Sequence, residues 1–530
     1  MKSFTIRMGT VCAAVALMAG GATSASADSL TIGLSSEVTA IDPHYHNLTP
    51  NNAMATHIFG GLVNQDQNQQ LLPGLAVSWK TIDDLTWEFK LREGVKFHDG
   101  TAFTADDVIC SFERAPDVPN SPSSFALVTK GKTLVKVDDL TLHIKTEKPY
   151  PLMINDVSLL HIVSNEKGCV GTTAQFNSGE AAIGTGPYKF VSYTPGEKIV
   201  LTGNPDYWGE KPAFSDITYR PIKSSPSRVA ALLAGDVDMI DGVPTADLEK
   251  LKGNDALQIS EGVSNRVIYL HLDHFRDDSP FVKAKDGGTI KNPLRDQRVR
   301  TALSMAINRD AIVERVMEGQ AIKAGQLLPA GFFGVSEKLK PLEYDPKGAK
   351  KLLAEAGFPD GFKLTIHGPN DRYINDAKIA EAIAQMLTRI GIETEVETMP
   401  RSVFFKRASQ GGKDGLPEFS LLLVGWGAGS GEASSPLRSL VHTYDKAHGF
   451  GASNRGRYSN AEMDRLTEQA LATVDDAKRQ ELLAKATEIA IEDVGIIPLH
   501  YQVNAWAAKK GIAYRARTDE NTRAQDVFKQ

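Results

Sequence analysis

Phe362-Lys363-Leu364-Thr365-Ile366, a helix-like run from Ile374 to Ile390, and Gly391-Ile392-Glu393-Thr394-Glu395-Val396 occur in that order in the chain. The outer segments alternate apolar with polar residues and read as strands. The middle run carries its apolar residues at helical spacing. Strand, helix, strand predicts a parallel βαβ crossover, and sheets of that kind take ligands beyond the carboxyl ends of their strands.

Mixed patterning continues on both sides. Asp345-Pro346 opens a helix with Ala349, Leu352, Leu353 and Ala356 as its stripe and Gly357 as its stop. Val299, Ala302, Leu303, Ala306 and Ile307 share one helical face, and Asn308 is placed to cap a second helix bearing Ile312, Val313 and Val316 up to Gly319. Nearer the N-terminus, Trp87-Glu88-Phe89-Lys90-Leu91 has period two, and Val135 to Val137 with Leu140 to Ile144 flank Asp138-Asp139 like a hairpin. Thr104-Ala105-Asp106-Asp107 then reads as the capping-box start of a helix carrying Val108, Ile109 and Phe112. The fold class is α/β.

The chain has 530 residues, 42% hydrophobic and 23% charged, which is too long for one core and too well mixed for disorder. Lys+Arg total 59 against Asp+Glu 65, a formal charge of −6, so there is no basic excess to hold nucleic acid or anionic lipid. Lys2 and Arg7 precede an apolar stretch from Met8 to Ala22 and then Ala25-Ser26-Ala27, the pattern of a secretory signal peptide, residues 1–27, with cleavage expected after Ala27. The apolar stretch is shorter than the ~20 residues an uncleaved anchor needs. Loss of Cys12 with that segment leaves Cys110 and Cys169 in a disulfide-permissive space, compatible with one bridge and equally with two free thiols.

There is no Walker loop, Gly-x-Ser-x-Gly elbow or His-Glu-x-x-His helix. In Gly425-Trp426-Gly427-Ala428-Gly429-Ser430-Gly431-Glu432 the glycines fall on every second residue, and no helix start follows closely. This reads as a flexible loop that lets backbone approach a ligand, with Trp426 as a stacking surface, or as a structural turn. The pairs His44/His46 and His271/His274 lack acidic or Cys partners at metal-ligand spacing, so no metal and no cofactor is expected. Gly184-Thr185-Gly186-Pro187-Tyr188 is a rigid turn by composition.

Together these stretches resemble the family 5 solute-binding proteins of ABC importers, the dipeptide- and oligopeptide-binding group. The resemblance rests on Leu72-Pro73-Gly74-Leu75-Ala76-Val77-Ser78-Trp79, Phe89 to Gly100, Phe103 to Val108, Gly184 to Tyr188, Asn204-Pro205-Asp206-Tyr207-Trp208, Ala231 to Asp238, Asp296 to Arg309 and Tyr344 to Gly361. It implies a two-lobed clamp of the periplasmic binding protein kind. By analogy residues 28–62, 179–262 and 498–530 form lobe I, 63–178 an extra subdomain of that lobe, and 263–497 lobe II, with hinge strands near Val263 and Ile497. It further implies a periplasmic receptor, without covalent chemistry, that hands short peptides to an ABC permease of two transmembrane and two ATP-binding subunits. A monomer suits that task.

In such relatives an Arg after a strand holds the ligand carboxylate, and Arg372 in Asn370-Asp371-Arg372-Tyr373 resembles it. They also carry an Asp soon after the Gly-Trp pair for the peptide amine, where this sequence has Gly429. Glu432 is the expected substitute. Otherwise the solute lacks a peptide-type amine and is an opine, a sugar conjugate or a metal chelate. Tyr45 and His46, after Ile41-Asp42-Pro43, resemble the cleft-lining segment of lobe I. Other readings of the chain are a secreted hydrolase whose carboxylates meet only in space, and an accessory that guides peptides or chaperones folding.

Overall fold

The structure, a computed structural model, describes residues 28–530; the signal-peptide reading of residues 1–27 lies outside them. The principal strands are β1 Ser29–Leu34, β2 Leu257–Leu272, β3 Lys363–Pro369, β4 Glu393–Met399, β5 Leu421–Gly427 and β6 Ile497–Lys509. The expected crossover is present. β3 and β4 pair in parallel from Lys363 opposite Glu393 to Pro369 opposite Met399, and α1, Asp376–Arg389, connects them. Ile379, Ala380, Ile383, Ala384 and Leu387 of α1 are buried, the i, i+1, i+4, i+5, i+8 stripe of a helix lying on a sheet. β5 then adds to β3 in parallel through Ile366 opposite Leu421.

β2 and β6 are long because each serves two cores. They pair antiparallel from Leu257 opposite Lys509 to Leu270 opposite Ile497, with an irregularity between Val263 and Val267. Beyond them the sheet continues through Met239–Ile240, β1, Asp216–Pro221, Lys198–Gly203 and Tyr188–Thr194, making twelve strands in all. The hinge strands were expected to cross near Val263 and Ile497. On the C-terminal side, β6 is still paired within the larger core at Tyr501, so the passage lies at Tyr501–Val503.

Three large hydrophobic cores divide the described residues. One gathers Leu30, Ile32, Ile217, Met239 and Trp506. A second holds Phe89, Val108, Phe112, Leu142 and Ile144 beneath a four-stranded antiparallel sheet of Thr86–Leu91, Thr141–Thr146 and their neighbours. The third, around Val267, Leu303, Ile366, Ile383 and Leu483, surrounds the βαβ unit. Cys110 and Cys169 are joined by a disulfide, and Arg114 meets Asp42 at 2.7 Å. Both links fasten the second core to the first, leaving two lobes connected chiefly by β2 and β6.

Local expectations hold where the signal is short-range. Thr104 donates its main-chain N–H to Asp107 at 2.8 Å at the start of helix Ala105–Arg114. Asn308 caps its turn, accepting from Ala311 N at 2.9 Å, but the helix expected up to Gly319 widens after Ala311, and Met317 N donates to Ile312 O. The glycines of Gly184-Thr185-Gly186 are required by packing, since a Cβ at either would collide with the main chain at His57–Ile58. No helix among the described residues is long and apolar enough to cross a membrane.

Candidate functional site

Between the two lobes lies a cavity of about 870 Å³, within the size range of small-ligand sites. Its walls form at strand ends. Leu34 ends β1 and Ser35 to Glu37 follow it, Asp241 and Gly242 follow Met239–Ile240, Asp371 and Arg372 follow β3, and Arg401 follows β4. Gln502, Asn504 and Trp506 of β6, Arg266 of β2, and Glu520 to Thr522 complete the floor. A main chain that ends a parallel strand must turn over the sheet edge, and here several such turns from both lobes face one space.

Arg372 is the centre of the lobe II wall. Its main-chain N–H and that of Tyr373 both donate to Asp376, each at 3.0 Å, which fixes the turn that leads into α1. Tyr373 donates its hydroxyl to Gly425 O at 3.1 Å. A Cβ at Gly425 would stand 2.6 Å from Ile268 and 2.9 Å from the Tyr373 ring, so this glycine makes room for the tyrosine. The Arg372 guanidinium lies 5.2 Å from the centre of that ring. Among the described residues it has no ion pair and no side-chain hydrogen bond. Burial, and then the neighbouring Arg266, lower its pKa, so the site holds a cation that is short of counter-charge.

Arg266 itself is paired. It donates to Glu520 through Nε at 3.0 Å and through a terminal nitrogen at 2.7 Å, and Ser264 adds its hydroxyl at 2.7 Å. Burial raises the Glu520 carboxyl, yet Arg266 and these bonds hold it down at about 2. The pair ties lobe II's entry strand to the C-terminal segment directly under the cavity. On the opposite wall Lys223 meets Glu37 at 2.8 Å, and beside Arg372 the main-chain N–H of Arg401 donates to Asp371 at 2.7 Å.

The five residues singled out from the sequence do not share one place. Arg372 and His46 line the cavity, His46 from the first lobe with Nδ1 3.0 Å from Thr39 Oγ1. Tyr45 is half-buried beside it, its carbonyl accepting from Ser121 at 2.7 Å, and is not part of the wall. Trp426 packs against the third core, 3.4 Å from Ser435 Oγ, rather than presenting a free face to the cavity. Glu432 is 2% exposed and committed to Arg479 and Ser434 inside lobe II, so it does not reach the solute space. The loop expected to be flexible is anchored. Gln69 and Asn265 donate to Ala428 O at 3.3 and 2.9 Å, and Asn155 donates to Ser430 O at 2.8 Å. A Cβ at Gly429 would meet nothing.

His44 is buried against His161 O, His271 is buried against Leu440 O, and the half-buried His274 lies against Gly495 O. Burial lowers the pKa of all three. No cluster of three or more metal-ligating side chains occurs among the described residues. Sequence reasoning missed Arg266, Arg401, Asp241 and Glu520. For Arg401 the signal was available, because it follows the second strand of the crossover as Arg372 follows the first. The other three lie far apart in the chain and share no motif.

Comparison with known proteins agrees with this architecture. The family model described as bacterial extracellular solute-binding proteins, family 5 Middle, matches residues 70–448. A glutathione-binding protein, GsiB, of Pectobacterium atrosepticum is 30% identical over 485 residues, 89% of this chain and 90% of that one. Heme-binding protein A of Haemophilus influenzae is 28% identical across 86% of this chain and 83% of its own. The solved structure of HbpA2 from Haemophilus parasuis superposes with a TM-score of 0.80 at 25% identity, covering 95% of this chain and 100% of the other.

Proposed function

The chain belongs to the family 5 bacterial extracellular solute-binding proteins, and from that premise we propose that it captures short peptides or peptide-like solutes in the inter-lobe cavity and delivers them to an ABC permease for import. The observation that carries the reading is the unpaired Arg372 guanidinium projecting into a cavity of about 870 Å³. A carboxylate is the group that its planar fork accepts best. Expelling water around an unpaired cation costs several kcal/mol unless an anion enters with it, so lobe closure is coupled to an acidic group on the solute.

In this reading residues 28–62, 179–262 and the chain beyond Tyr501 form lobe I, 63–178 its subdomain and 263 to Tyr501 lobe II, the last passage falling later on β6 than the 497/498 expected from the sequence. The protein works in the periplasm as a monomer, performs no covalent chemistry, and docks on two transmembrane and two ATP-binding subunits. Relatives named for binding glutathione and heme support a solute with carboxylates. Gly429, where the resemblance read from the sequence implies an Asp, keeps opines, sugar conjugates and metal chelates as the competing solutes.

Thermal unfolding of the ligand-stripped mature chain against di- to pentapeptides, glutathione and those controls tests the reading. A ligand at one hundred times its Kd adds about 2.7 kcal/mol, a rise of about 2 to 3 °C for two-state unfolding of a chain this long. A rise confined to the control classes would refute peptide capture.

A further inference from the structure

Four carboxylates line the cavity: Glu37, Asp241, Asp371 and Glu520. Glu37 is ion-paired with Lys223. Glu520 is held by Arg266, and Asp371 stands on the same wall as Arg372, next to it in the chain, with the Arg401 main-chain N–H as its donor. Asp241 differs. The nearest cation, Arg228, stands 3.9 Å from its carboxylate. Arg228 spends its donors on the carbonyls of Asp241, Ile222 and Gly242, at 2.9, 2.7 and 2.6 Å, and on Ser225 Oγ at 3.3 Å.

What reaches the Asp241 carboxylate is neutral: Ser35 N–H at 2.6 Å on one oxygen and the Thr522 hydroxyl at 3.4 Å on the other. These bonds fix its orientation without supplying a hydrogen-bonded cation. Its side chain is 17% exposed, turned to the cavity wall of lobe I. Burial raises its pKa, with Arg228 only partly opposing, and a bound ammonium would reverse that cost.

We propose that Asp241 is the specificity residue for the solute's ammonium group, holding it from lobe I while Arg372 holds a carboxylate from lobe II. Gly429 then needs no acidic replacement on its own loop, and Glu432 is free for its structural pair with Arg479. The solute class becomes a zwitterion that bridges the two walls, so that only an amine-bearing molecule draws both lobes together. The assignment rests on the solute reading above.

The test is calorimetric titration of wild type, Asp241→Asn and Arg372→Ala with glutathione and trialanine, each with its amine free and N-acetylated. Asn keeps an oxygen for the Ser35 N–H and turns its amide NH2 to the Thr522 hydroxyl, which then accepts, so the fold is retained, which circular dichroism and the unliganded Tm check. Asp241→Asn is expected to lose at least about tenfold in affinity toward the free-amine probes and nothing toward any acetylated probe that binds, whereas Arg372→Ala weakens both forms. Wild-type affinity of Asp241→Asn for a free-amine probe that the wild type binds overturns this assignment alone. Failure of wild type to bind any amine-bearing probe, with a response to opine, sugar-conjugate or chelate controls, overturns both readings.

Discussion

Truncating Arg372 to Ala is the sharpest perturbation of the cavity, because in the unliganded protein this guanidinium has no ion pair or hydrogen bond to lose, only its 5.2 Å contact with the Tyr373 ring. No carboxylate is released when it goes, and the hydrogen bonds that shape its turn come from main-chain N–H groups to Asp376. The affinity lost is therefore that of the charge-assisted bond to the solute, about 1.5 to 3 kcal/mol for a hydrogen bond to a charged group. That corresponds to a roughly 10- to 150-fold rise in Kd. Unliganded stability should hardly move. The side chain is solvent-exposed, with Arg266 opposing its charge and Tyr373 and Glu520 favouring it, so removing it should leave the Tm nearly unchanged. Arg372→Lys should fall between, keeping charge but losing the planar fork. Titration calorimetry of the three proteins with a carboxylate-bearing peptide, beside thermal scans without it, reads both quantities. An unchanged Kd in a folded Arg372→Ala variant would refute the reasoning, as would a fall of several degrees in its unliganded Tm.

Glu432→Ala is expected to behave oppositely, leaving the buried Arg479 unpaired and costing roughly 3 to 5 kcal/mol of stability; solute affinity measured on the surviving folded fraction should not change. Reducing the Cys110–Cys169 bridge, which spans 59 residues, should cost about 4 kcal/mol by loop closure, and equal thermal scans with and without reductant would count against it. The Glu520 carboxyl, held at about 2 against an ordinary 4.5, contributes stability that is present above about pH 4.5 and lost as pH falls toward 2. Glu520→Gln should therefore be less stable than wild type at pH 7, and the gap should narrow through that window; a gap independent of pH would argue against the ion pair.

The strongly periodic elements were legible before any coordinates. The crossover from Phe362 to Val396, the hairpin about Asp138-Asp139 and the helix stripes at Val299 and Ala349 all follow from local sterics and from which face must be buried. Their order in the chain specified an α/β sheet, and the carboxyl-end rule pointed to its strand ends, where Arg372 was picked out by resemblance while Arg401 went unnoticed.

The tertiary structure decided what depends on contacts between distant residues. Glu432 looks like a site acid in sequence because it follows a glycine-rich loop, yet Arg479, 47 residues away, claims it. Trp426 opens a glycine-rich loop that reads in sequence as a ligand contact, but Ser435 and the third core take its indole. The Cys pair was undetermined until the helix carrying Cys110 was set beside Cys169. Glu520 and Arg266 are 254 residues apart, and Asp241 gains its neutral shell from Ser35 and Thr522, some 206 and 281 residues distant. Periodicity records which face of an element is buried. Whether a charged side chain is spent inside the protein or left for a solute depends on which partners the folded chain brings within hydrogen-bond reach, and no spacing along the sequence carries that information.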